Sequence, residues 1–186
     1  MRKSFSDVAF YPLPVLMIGT YDENGTPNAM NAAWGGMCAR DHVALHISRR
    51  HKTTDNLYLK KAFTLSFADR AHLVEADYFG LASGKDENKI KKAGFHVIRS
   101  EQVDAPTFEE FPLTLECQVV DIQESLGLIR VVGKVVNVSA DEAVLDADGA
   151  IDPEKLQILC YDRAKRNYHV MGPVVGKAYA DGKALL

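Results

Sequence analysis

The strongest constraint on the fold is the pair Asn24-Gly25, set between the apolar run at 15–21 (VLMIGTY) and a second short segment at about 27–33. A type I′ turn needs positive φ at both central residues, which Asn-Gly tolerates well. The first two strands should therefore be antiparallel neighbours. Pro12 and Pro14 fix an extended approach to the first of them, after a polar leader at 1–11. Further strands follow the same logic. HVALHIS at 42–48 alternates, with Val43, Leu45 and Ile47 on one face and His42, Ala44 and His46 on the other. FTLSFA at 63–68 alternates as well, and the long segments 113–124 and 128–138, joined at Ser125-Leu126-Gly127, have hairpin spacing.

Helices are inserted between these strands. One is expected from Thr53 or Thr54, good cap residues, to Lys60-Lys61, so that both ends match the helix dipole. A second, at about 72–82, carries Leu73, Ala76, Phe79 and Leu81 as a core-facing stripe. Ser83-Gly84-Lys85-Asp86 reads as a capping-box start for a third that runs to Ala93 and ends at Gly94. The segment 95–111, interrupted at Pro106, is expected to wrap the surface. Residues 156–161 and 168–179 are expected to cover one end of the barrel or a partner subunit. Hairpin-linked strands with helices between neighbours point to a mainly β fold with peripheral helices, an antiparallel split β-barrel, as one domain over 1–186. Trp34-Gly35-Gly36 reads as the loop ending the second strand, and neither glycine cluster makes a GxGxxG dinucleotide motif.

Composition removes several function classes. Lys plus Arg number 22 against 25 Asp plus Glu, a net charge of −3, so no general field holds nucleic acid. The three cysteines are widely spaced and odd in number, which argues against a disulfide framework and for a reducing compartment. No apolar run approaches the roughly 20 residues of a membrane span, and the N-terminus lacks a signal-peptide core. A cytoplasmic protein is expected, with no membrane contact. His42 and His46 face the same way but lie about 13 Å apart on a strand, too far to share a metal ion. The acidic loop 140–153 does not have EF-hand spacing.

The dense basic stretch is Arg49 to Lys52. There the strand at 42–48 turns into a helix, bringing the Ser48, Thr53 and Thr54 hydroxyls, helix N-terminal amides and the Arg49, Arg50 and Lys52 charges to one corner. Such a corner suits a phosphate. The short residues Asn31, Ala32 and Ala33 beside Trp34 expose backbone to a flat aromatic headgroup. The two halves together suggest flavin mononucleotide, FMN.

The order of these motifs, an NG turn, Asn28-Ala29-Met30 running to Trp34, HKTTDN, FTLSFAD, then Phe79 to Gly84 ahead of Lys89 and a long hairpin, resembles the flavoredoxin branch of the flavin reductase-like, FMN-binding split-barrel proteins. The resemblance spans about 12–183. It implies a homodimer with FMN near the subunit interface, electron transfer through that FMN, and NAD(P)H as a possible donor bound in a shallow site above the flavin. It places Asn28 and Asn31 to Trp34 along the ring and ribityl chain, and 48–54 around the phosphate. Ser83, Gly84 and Lys89 approach the ring or ribityl chain, and Tyr168 closes the pocket. Lys89 is the residue expected to tune the potential, since a reduced flavin gains negative charge. Asn31 stands where relatives often have Thr. Leu128 stands where many have His ahead of Gly133, a departure from the family pattern at a position that would otherwise supply a flavin contact or proton donor. The alternatives are a non-catalytic FMN carrier serving a redox partner protein, and a split-barrel module that binds another ligand or serves in assembly.

Overall fold

A computed structural model describes residues 2–186. In chain order the first strands are β1 (Leu13–Pro14), β2 (Leu16–Tyr21), β3 (Pro27–Ala32), β4 (Gly35–Ala39) and β5 (His42–Ile47). Helix α1 (Lys52–Lys60), β6 (Ala62–Phe67), α2 (Leu73–Leu81) and α3 (Lys89–Ala93) follow. Then come β7 (Val97–Arg99), β8 (Pro106–Phe108), the long pair β9 (Leu113–Ser125) and β10 (Leu128–Ala140), α4 (Pro153–Leu156), β11 (Leu159–Asp162) and β12 (Asn167–Val170).

Seven strands form one antiparallel sheet in the order β3-β2-β6-β9-β10-β5-β4. Its two edges, β3 and β4, are consecutive in the chain, so Ala33-Trp34 ties them together and His46 N donates to Trp34 O at 2.8 Å. This is the antiparallel split-barrel arrangement that the strand pattern predicts. A small sheet β1-β11-β12 and the hairpin β7-β8 lie outside it.

The unbroken apolar run of β2 has a packing cause. Leu16 and Ile18 point into the barrel core with Leu45, Phe63 and Val131, while Val15 and Met17, on the opposite side, meet a second core made by Phe79, Ile90, Phe95 and Phe108. A strand buried on both faces does not alternate. At Gly133, in β10, a Cβ would come within 2.5 Å of the Phe63 ring, so glycine lets that ring sit against the strand.

Four local expectations change. Only Gly25 of the first turn has positive φ, at 75°, and Gly25 N donates to Asp22 O. The connection is therefore a β-turn followed by a left-handed glycine rather than a type I′ pair; the type I′ geometry occurs instead at Leu126-Gly127, with φ of 52° and 75°. Gly35 and Gly36 are not loop but the start of edge strand β4, where a Cβ on Gly35 would press on Leu16 and Leu45. Ser83 does not cap a helix: its Oγ accepts from Lys85 N, and α3 is capped by Asn88 Oδ1 accepting from Lys91 N. Segment 95–111 does more than wrap the surface, because Phe95, Phe108 and Phe111 pack together in the second core, with Phe111 edge-on to both of the others.

Candidate functional site

The ends of β3 and β5 and the Ala33-Trp34 corner frame a cleft of about 450 Å³ at the split of the barrel, lined by Met30, Asn31, Ala32, Ala33, Trp34, His46, Ile47, Ser48, His51, Leu128, Tyr161 and Arg163. A narrower cleft of about 200 Å³ continues from it, sharing Met30, Asn31 and His51 and adding Asn28, Arg50, Lys52, Thr53, Ser83, Gly84 and Lys89. Sizes of this order suit a small organic ligand. No carboxylate lines either part.

The narrow end is built by α1. Its N-cap, His51, makes no side-chain cap bond; Thr54 N donates to His51 O at 3.0 Å, which leaves the Lys52 and Thr53 amides for another acceptor. The two threonines divide their work. Thr54 donates its hydroxyl to Ser48 O at 2.7 Å and braces the turn. Thr53 accepts from Asn28 Nδ2 at 2.9 Å, which leaves its own hydroxyl hydrogen to donate onward. Lys52 is held by Asp22 at 3.0 Å.

Lys89 faces the same space from α3. It is 4% exposed, and its Nζ donates to Phe79 O at 2.9 Å and to Ala82 O at 3.1 Å, the C-terminal carbonyls of α2. An ammonium has three hydrogens, so one remains for the cleft. Burial lowers its pKa to about 8, partly offset by Glu87. The pKa of His51 is also lowered, first by burial and then by Lys89 and Lys85. A buried ammonium with one hydrogen left over, in a cleft with no carboxylate in its lining, thus marks this end as suited to an anion. Gly84 packs so closely that a Cβ there would lie 2.0 Å from Asn28 Oδ1.

The wide end is flatter and apolar. Asn31 is pinned by donation of Nδ2 to Ala76 O at 2.9 Å, and Trp34 is 51% exposed at the mouth. Of the sequence-predicted residues, Asn28, Asn31, Ala32, Ala33, Trp34, Ser48, Arg50, Lys52, Thr53, Ser83, Gly84 and Lys89 line the joined clefts. Three do not. Arg49 swings out to pair with Glu124, Thr54 sits beneath the turn, and Tyr168 donates to Asp77 Oδ1 at 2.7 Å behind the cleft wall. Tyr161, the cross-strand partner of Tyr168, lines the cleft instead. His46, Tyr161 and Arg163 are lining residues that the sequence did not single out.

These groups fit FMN: a carboxylate-free pocket with a buried cation, a free hydroxyl donor and open helix amides for a phosphate, opening into an apolar slot for a ring. They do not form a nucleophile–base pair or, among the described residues, a metal cluster. A separate cleft of about 320 Å³ near β7-β8 contains buried Glu116, but Ser100 Oγ, Gln102 N and Asn137 Nδ2 already donate to its oxygens.

A family model described as a flavin reductase like domain matches residues 8–169. The flavoredoxin of Desulfovibrio vulgaris (Miyazaki F) superposes with a TM-score of 0.93 at 32% identity, covering 98% of this chain and 100% of that one. A flavoredoxin from Methanosarcina acetivorans gives 0.90 at 27% identity, over 100% and 99% of the two chains. An FMN-binding protein from Thermus thermophilus shares the fold, with a TM-score of 0.78 at 20% identity over 95% and 99%. With the split barrel, the cleft at its open edge and the matched span in agreement, the chain belongs to the flavin reductase-like family.

Proposed function

We propose that the protein is an FMN-dependent oxidoreductase of the flavoredoxin and flavin reductase kind, taking electrons from NAD(P)H and passing them to an acceptor. The observation that carries this reading is the buried Lys89 ammonium beside the Thr53 hydroxyl in a cleft without a carboxylate. Burying a cation is costly unless an anion or strong dipoles face it. The family match and the likeness to flavoredoxins and to an FMN-binding protein support a flavin as that anion's bearer.

In this reading Arg50, Lys52, Thr53, Lys89 and the first amides of α1 hold the phosphate, with Ser48 and Thr54 shaping the turn. Asn28, Ser83 and Gly84 border the ribityl chain. Asn31, Ala32, Ala33 and Trp34 lie along the ring. When bound, FMN supplies the electron and hydride chemistry. The chain's own part is to fix the phosphate and to bound the slot with apolar residues. No side-chain acid or base is assigned, and Leu128, which lines the wide cleft, offers none.

A homodimer is part of the proposal. Met37, Val120, Val136 and Val138 are exposed apolar residues on β4, β9 and β10, and light scattering should give twice the 20.5 kDa chain mass. No helix among the described residues is long and apolar enough to cross a membrane. The central test is a titration with FMN. The purified protein should take it up stoichiometrically with a perturbed flavin absorbance band, and a protein that stays colourless in excess FMN refutes the proposal.

A further inference from the structure

The hairpin turn between β11 and β12 reads Arg163-Ala164-Lys165-Arg166, three cations in four residues on a chain of net charge −3. All four residues are exposed. Arg163 lines the wide cleft directly, and Lys165 and Arg166 follow it on the turn. These three have no carboxylate within salt-bridge distance among the described residues, a state they share with other cations such as Arg50, Lys61, Arg70 and Lys134; what sets them apart is that they are gathered on one turn whose first residue borders the cleft.

The turn is also preorganised. Asp162 Oδ1 accepts from Ala164 N at 2.9 Å and Lys165 N at 3.2 Å, and from the Tyr11 hydroxyl at 2.8 Å. Asp162 Oδ1 is thus committed to shaping the loop and anchoring it, while Oδ2 lies 3.9 Å from His169 Nε2 and pairs with none of the three cations. Arg166 adopts positive φ, at 58°, which closes the turn. An ordinary solvated turn needs neither the buried aspartate nor cations gathered at the mouth of a ligand cleft.

Building on the FMN reading, the geometry points to this turn as the phosphate-recognition element for the electron donor, with NADPH preferred over NADH. The chain has no glycine-rich dinucleotide loop, and the N-terminus of α1 is committed to the narrow end, so a dinucleotide's phosphates must be met by side chains. Guanidinium groups match phosphate oxygens in two-pronged fashion. A nicotinamide laid over the flavin at the mouth of the wide cleft would trail its pyrophosphate and adenosine ribose past Arg163, and the extra 2′-phosphate is the group that the three clustered cations distinguish.

The test is calorimetric titration of the FMN-loaded protein with NADP⁺ and with NAD⁺, which reads binding without turnover. NADP⁺ should bind at least about tenfold more tightly at low salt, and the advantage should shrink as ionic strength rises from about 0.05 M to about 0.5 M. Compared at saturating FMN, because Arg163 also borders the cleft that takes the cofactor, the R163A/K165A/R166A variant should lose the advantage, and the R163K/R166K variant should keep only part of it, since lysine retains the charge but not the two-pronged match. Equal affinities, a preference that survives the triple substitution, or no binding of either nucleotide to yellow protein would overturn the inference and leave the FMN reading standing. Protein that cannot be loaded with FMN overturns both.

Discussion

Replacing Lys89 by Met keeps the length and apolar volume of the side chain and removes only its charge and donors, so it separates a lysine kept for a ligand from one kept for the fold. In the FMN-free protein, the fall of the pKa from the ordinary 10.5 to about 8 corresponds to about 3 kcal/mol against the charged form in the folded state. Met removes that cost. It also removes the donors to Phe79 O and Ala82 O, at roughly 1.5 kcal/mol each, or about 3 kcal/mol together. The two effects nearly cancel, so urea unfolding without FMN should change by no more than about 1 kcal/mol. FMN affinity should behave differently. Losing one charge-assisted bond to a dianion costs about 1.5–3 kcal/mol, or roughly 10- to 150-fold in Kd, read by titration against flavin fluorescence. An unchanged FMN Kd together with a loss of several kcal/mol of stability would make Lys89 a strut for the end of α2 and refute its role in the site.

The same pKa gives a pair of opposed pH effects. Folded Lys89 releases its proton near 8 and the unfolded chain near 10.5, so the unfolded state holds more protons between those values; the Lys89 contribution to FMN-free stability should rise with pH there, while FMN affinity, which needs the protonated amine, falls above pH 8. Chemical denaturation and FMN titration at matched pH values check both, and parallel trends would contradict the assignment. Gly84→Ala places a Cβ 2.0 Å from Asn28 Oδ1, which must move and release Thr53; FMN binding should weaken about tenfold, and an unchanged Kd would show that this contact is idle. Trp34 is the chain's one tryptophan, so its emission should be strongly quenched on FMN addition; quenching absent at saturation would place the ring away from the corner.

The parts of the fold that were legible in the sequence are those where one local signal suffices. His42 to Ile47 alternates because one face meets the barrel core, and Gly94 ends α3 in the left-handed conformation that its position predicts. Edge strand β4 was hidden, because two glycines read as a loop unless it is known that Leu16 and Leu45 press against the first of them. At the site, residues contiguous with a strand-to-helix corner were readable. Tyr161 was not, since it and Tyr168 are opposed across a hairpin whose placement against the barrel depends on long-range contacts. Nor does a lysine in a short polar helix announce that the carbonyls of a neighbouring helix will surround it. Arg163 looks like any solvated turn residue until β11 is docked beside β1 and the cleft lies next to it.

The contrast between the two groups of cations bears on how the site works. Lys89 is buried, and its charge is felt in a medium where attraction is weakly screened, so it favours slow release of what it holds. Arg163, Lys165 and Arg166 are in water, where each contributes little to affinity but together they accelerate encounter with a polyanion and discriminate by charge. A resident cofactor calls for the first arrangement, and a reactant that must arrive and leave in each cycle calls for the second. Exchanging the two would be self-defeating: a buried anchor for the donor would trap the spent nucleotide over the ring, and an exposed anchor for FMN would let the cofactor wash out. The placement of buried charge inside the cleft and exposed charge at its rim therefore fits the proposed pairing of a tightly kept flavin with a loosely held, phosphate-rich donor.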